Sequence, residues 1–190
     1  MPYRPALSAK PLTAVAALLL VAVVSAKRAG NSAYVRSDDS GTFYARAIPA
    51  DTSGTAGRTE VYRVRTEGDE LLDRYDWYAP GRVTLGWSPI AGKVAVLAVL
   101  GQERGENWRE QEELRFALGG KPLASWTNAQ LLELGAEHVA GKPGRQHAEY
   151  RVIGCEQLPG TNEYDFVVEI AEGRRLRFDI LTGKPRVPAK

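Results

Sequence analysis

The chain holds a single cysteine, Cys155, among 190 residues, so no intramolecular disulfide can form and the fold rests on its core alone. Histidine is nearly absent as well. Only His138 and His147 are present, at the ends of the stretch His-Val-Ala-Gly-Lys-Pro-Gly-Arg-Gln-His, which reads as a surface loop. Even with Glu137 and Glu149 beside them, that spacing fixes no tetrahedral metal geometry. The sequence also lacks a Gly-x-Ser-x-Gly elbow. A Ser-His-Asp set assembled from distant positions stays open, but the residues nominate no catalytic, cofactor-binding or metal-binding group.

Long hydrophobic runs are missing too, with one exception at the start. Arg4 and Lys10 form a positive segment, Leu12 to Val24 is weakly polar to apolar throughout, and Val24-Ser25-Ala26 offers the small residues that signal peptidase needs. The run is shorter than the roughly 18 apolar residues of a bilayer span. Against cleavage, Lys27 and Arg28 follow at once. Residues 1–26 therefore read as a secretory signal peptide or an uncleaved N-terminal anchor. The protein is expected to be exported, periplasmic or extracellular, or held at the membrane through residues 1–26 alone. Residues 27–36 read as a linker, 37–184 as one β-rich domain and 185–190 as a tail.

An excess of positive charge is absent from that domain. Residues 1–26 carry two basic and no acidic residues, which leaves 23 basic and 23 acidic residues in the remainder. A neutral domain has no field to draw in a nucleic-acid backbone, and no basic stripe interleaved with aromatics occurs. Nucleic acid is not an expected partner.

What is present is period-two alternation. Val83, Leu85 and Trp87 share one face of a strand, as do Phe166, Val168 and Ile170, and Leu176, Phe178 and Ile180. Their alternates, among them Asp165, Val167, Arg175 and Arg177, are expected to face water. Val94 to Leu100 is apolar at every position and reads as a central strand buried on both faces. Leu114, Phe116 and Leu118 alternate, and Gly119-Gly120 makes a two-residue hairpin connection to Lys121–Trp126. Pro159-Gly160 and Glu172-Gly173 supply further turns. One short helix is expected near 128–134, opened by the capping box Thr127-Asn128-Ala129-Gln130 and closed at Gly135. Together these features predict a mainly β fold: an antiparallel open sheet or sandwich of about nine strands with that one helix.

A weak internal echo relates Ser37–Phe43 to Ser88–Val94, each a polar turn ending in Gly that launches an apolar strand. The segment Trp87-Ser88-Pro89-x-x-Gly92-Lys93 resembles the turn between strands in bacterial periplasmic β-propellers. A closed propeller takes four or more blades, and the echo reads as a shared turn-plus-strand solution. More broadly, the chain resembles a family of exported bacterial β-rich proteins of unknown role. The likeness rests on the strands Ser37–Ala47 and Val61–Val64, the Asp76-Trp77-Tyr78 segment, Trp87–Leu100, Leu114–Leu134, and the closing Phe178–Lys184. The sequence departs from that pattern after Leu100, where Gly101-Gln102-Glu103 replaces a Gly-Pro-Trp type segment. The resemblance implies an exported β-rich domain and carries no site residue with it. The final hairpin also resembles the end of PepSY-type exported domains, although there a helix directly precedes the two strands.

Three local features remain. In Tyr150–Cys155 the alternation places Cys155 on the face of Ile153, as a small buried hydrophobe. Asp69, Glu70, Asp73 and Asp76 form an acidic segment without the order of a calcium loop and read as a solvated face. Tyr75, Trp77, Tyr78, Trp87 and Trp108 form an aromatic group that serves either the core or a binding face. Trp77, Tyr78 and Trp108 are the candidate ligand-binding residues. The leading expectation is a non-enzymatic interaction module contacting a cell-envelope protein. A glycan- or small-ligand-binding domain is the alternative, and a hydrolase is ranked behind both.

Overall fold

The computed structural model describes residues 30–101, 107–140 and 146–186. The N-terminal segment 1–26 lies outside them, as does most of the tail. Among the described residues no helix is long and apolar enough to cross a membrane.

The fold is mainly β, and all of its strand pairs are antiparallel. The first meander comprises β1 (Tyr34–Ser37), β2 (Phe43–Pro49), β3 (Gly57–Arg63) and β4 (Glu70–Tyr75). The second comprises β5 (Arg82–Ser88), β6 (Lys93–Val99), β7 (Glu112–Leu118) and β8 (Lys121–Thr127). Helix α1 (Asn128–Glu133) and a hairpin of β9 (Glu137–Ala140) and β10 (Gln146–Glu149) follow. The third meander is β11 (Arg151–Gln157), β12 (Tyr164–Glu169) and β13 (Arg175–Asp179). Thirteen strands are thus present among the described residues, against about nine expected. The surplus includes β1, β9 and β10, four-residue strands with no apolar alternation to announce them. β1 also starts inside the stretch read as a linker.

The second meander is the middle layer. On β6, Val94, Val96 and Ala98 pack toward the first meander, with Phe43, Ala45, Val61, Val83 and Leu85. Ala95 and Leu97 face the other way, toward Leu114, Phe116, Phe166, Val168, Phe178 and α1's Leu131. That two-sided burial is why the strand tolerates no polar residue from 94 to 100. Each fully buried Val or Leu there contributes about 1.5–3 kcal/mol over exposure. The predicted faces of Val83/Leu85/Trp87, Phe166/Val168/Ile170 and Leu176/Phe178/Ile180 all meet these two cores.

The internal echo falls at equivalent places. Ser37–Phe43 spans the turn between β1 and β2, and Ser88–Val94 the turn between β5 and β6, so each is the first hairpin of its meander. Gly41 (φ 69°) and Gly92 (φ 61°) take the left-handed conformation that lets each turn close. The capping box forms as expected: Thr127 Oγ1 accepts from the Gln130 amide, and the Gln130 side chain accepts from the Thr127 amide. Gly119-Gly120 joins β7 to β8.

Four expectations are corrected. His138 and His147 lie on β9 and β10, not in a loop, because the hairpin pairs His138 with Ala148 and His147 with Val139. Asp165 and Val167 are both fully buried rather than solvated. The chain beyond β13 folds back, bridging Phe178 to Pro185, and Arg186 Nε reaches Asp165 at 2.7 Å. Pro185 and Arg186 are thereby part of the third meander's packing, not a free tail. Finally, a register shift between Val152 and Gly154 rephases β11, so that Val152 and Cys155 meet the core while Ile153 does not.

Candidate functional site

The three aromatic residues singled out by sequence are all buried, at 7 % exposure for Trp77, 2 % for Tyr78 and 5 % for Trp108. They do not come together. Trp77 packs on Tyr75, ring centroids 5.0 Å apart, in the core between the first two meanders. Tyr78 lies edge-on to Tyr34 and donates its hydroxyl to the Ser32 carbonyl at 2.9 Å. Trp108, in a short 3-10 turn before β7, stacks on His138 at 4.9 Å, and its carbonyl accepts from the buried Asn128. Among the described residues, no three His, Cys, Asp or Glu side chains cluster as metal ligands would.

Of the other two members of that aromatic group, Tyr75 is buried, whereas Trp87 is only partly buried and marks a different place. A cleft of about 550 Å³ opens where the three meanders meet. The β1–β2 turn supplies Asp38 and Asp39, β3 supplies Arg63, β5 supplies Gly86 and Trp87, and β11 and β12 supply Cys155 and Tyr164. That volume lies within the range of small-ligand sites.

The local sequence builds each wall. Asp38 accepts from the Phe43 amide at 3.0 Å and from the Ser40 hydroxyl at 2.6 Å, while Ser40 Oγ accepts from the Thr42 amide at 3.1 Å. These are the short-range bonds by which Asp and Ser fix turns. They commit Asp38 to the turn and leave Asp39 exposed beside it. Phe43 stacks on Trp87 with centroids 5.2 Å apart and planes 11° from parallel, tying β2 to β5. The Arg63 guanidinium lies 5.4 Å from the Phe43 ring and 5.7 Å from the Trp87 ring, a cation-π arrangement across the pair.

Cys155 forms part of the floor. Burial first, then the nearby carboxylates led by Asp165 and Asp39, pushes its thiol up to about 12. At neutral pH the group is a thiol, and a thiol is a poor nucleophile. The cleft therefore combines an indole face, a guanidinium, carboxylates and hydroxyls, without an activated nucleophile at Cys155.

The acidic segment is used for ion pairing and a hydrogen bond. Glu70 pairs with Arg65 and Arg63, and Asp69 accepts from the Tyr44 hydroxyl at 2.8 Å. Sequence reasoning missed Arg63, Asp39 and Tyr164. The available signal was the echo itself, since its first copy places two Asp residues in the turn that borders the cleft.

No protein-family model matches the chain, and neither the curated proteins nor the solved structures compared with it contain a match.

Proposed function

We propose that the protein is a non-enzymatic binding module of the cell envelope whose cleft takes a small polar ligand with one apolar face. A sugar ring of an envelope glycan has that chemistry. The observation that carries this reading is the half-buried Trp87, stacked on Phe43 and lining a cleft of ligand size. A partly exposed indole in the cleft wall, fixed by stacking on Phe43, offers apolar surface to the C–H face of a sugar. Carboxylate and hydroxyl groups around it, Asp39, Ser40 and Tyr164, suit a ring of hydroxyls. The positive, then apolar, sequence of residues 1–26 supports an envelope location.

The reading is tested by titrating the protein with fragments of envelope polysaccharides while following tryptophan fluorescence. Saturable quenching that Trp87→Ala abolishes is the expected result. Absence of any response across the panel, with the protein folded, would remove the glycan reading and return weight to a protein partner.

A further inference from the structure

A second cleft, of about 700 Å³, lies against Trp77 on the side of the molecule bordered by β3, β4 and the β7–β8 hairpin. Its lining is unlike that of the first. Three guanidiniums, Arg58, Arg74 and Arg115, line it together with a single carboxylate, Asp76.

Each guanidinium is braced by a carboxylate that is not itself among the lining residues. Glu60 is a buried strut: one of its oxygens takes Arg58 Nε and Arg74 Nη2, both at 3.1 Å, and the other accepts from Tyr62 Oη at 2.9 Å. Arg115 is held in a fork by both oxygens of Glu112, and its guanidinium carbon lies 5.7 Å from the Trp77 ring. A guanidinium has five N–H donors, and the Glu60 contacts take one each from Arg58 and Arg74. The side chains of Arg58 and Arg74 are 52 % and 62 % exposed, so their outer donors are reachable from solvent. Simple solvation of surface arginines would not require two of them to share one buried carboxylate, nor a third to be fixed over an indole. Planar, oriented guanidiniums converging on one cavity suit bidentate binding of an oxyanion.

We infer that this second cleft is an anion site, binding the carboxylate or phosphate group of a small ligand through Arg58, Arg74 and Arg115. It is separate from the Trp87 cleft and does not depend on the function proposed for that cleft.

The test follows the Trp77 indole N–H resonance of the full chain at constant ionic strength set with chloride. Inorganic phosphate and glucuronate are titrated separately, which distinguishes a phosphoryl from a carboxylate ligand by whichever binds more tightly. Saturable movement of Trp77 with either probe is expected. Arg58→Gln and Arg74→Gln should each weaken it about tenfold, because each removes a forked, charge-assisted contact. Both positions are surface-exposed, and an unchanged set of remote amide resonances would certify the fold. Arg82→Gln, on β5 outside the cleft, should leave the titration unchanged. Failure of both probes to saturate, or an equal loss in Arg82→Gln, would overturn the site.

Discussion

Gly86 of β5 faces Cys155 of β11 so closely that a β-carbon at residue 86 would stand 2.5 Å from Sγ and 3.1 Å from the cysteine Cβ. Glycine at this point lets the second and third meanders approach at the floor of the cleft. Gly86→Ala should destabilise the protein by about 1–3 kcal/mol, the usual cost of overpacking. Cys155→Ala removes the sulfur but leaves the 3.1 Å contact, so the double variant should recover part of the loss and not all of it. Urea denaturation of the four proteins in this cycle measures the coupling. Additive losses would mean that the two residues do not meet.

The buried thiol predicts a pH dependence. Its folded pKa, near 12, is above that of the exposed thiol in an unfolded chain. The unfolded state therefore loses its proton first as pH rises. The stability due to this shift is complete below the unfolded pKa of about 8.5, and it is lost progressively toward 12. Comparing wild type with Cys155→Ala across pH 8 to 12 isolates that contribution from the tyrosines. Wild type should lose stability faster, and parallel curves would contradict the shift.

Glu172 has φ 60° and is the non-glycine residue with positive φ among the described residues. With Gly173 at φ 72° it forms the turn between β12 and β13. A left-handed conformation costs an ordinary residue about 1–2 kcal/mol, and Asn-Gly is the pair such hairpins favour. Glu172→Asn should raise stability by about 0.5–1 kcal/mol, seen as a higher denaturation midpoint with an unchanged slope. A lower midpoint would show that the Glu172 side chain has a role that outweighs the strain.

Asn128 is fully buried at the start of α1 and ties three elements together. Its Nδ2 donates to the Trp108 carbonyl at 3.1 Å and to Glu113 at 3.3 Å, while its Oδ1 accepts from the Ala148 amide at 3.0 Å. Asn128→Ala leaves buried partners without these bonds, and should cost about 2–4 kcal/mol. Hydrogen exchange should localise the loosening to β10 and the Trp108 turn. Uniform loss across the fold would contradict a local tie.

Much of the fold was legible because burial on one face writes itself as alternation. Val83, Leu85 and Trp87 show it, and Val94 to Leu100 shows its two-sided form. The short strands β9 and β10 were not legible, since four residues such as Glu-His-Val-Ala carry no repeat; their pairing comes from the hairpin, and it moved His138 out of a loop. Asp165 reads as solvated in the sequence because its partner, Arg186, lies 21 residues away and returns only through a fold-back of the chain. For the candidate site, residue type was visible and exposure was not. Which of Trp77, Tyr78, Trp87 and Trp108 remains partly open depends on how three meanders stack, and Arg63, Asp39 and Tyr164 meet only through that stacking.

The most direct test of a ligand cleft at Trp87 uses the protein's four tryptophans, each with one indole N–H resonance. Titration with neutral envelope glycan fragments should move the Trp87 resonance saturably. Trp108 and Trp126 should stay in place, and Trp77 should respond only to anions. A Trp87 resonance that stays fixed across the glycan panel, or movement confined to the other three, would contradict binding at this cleft.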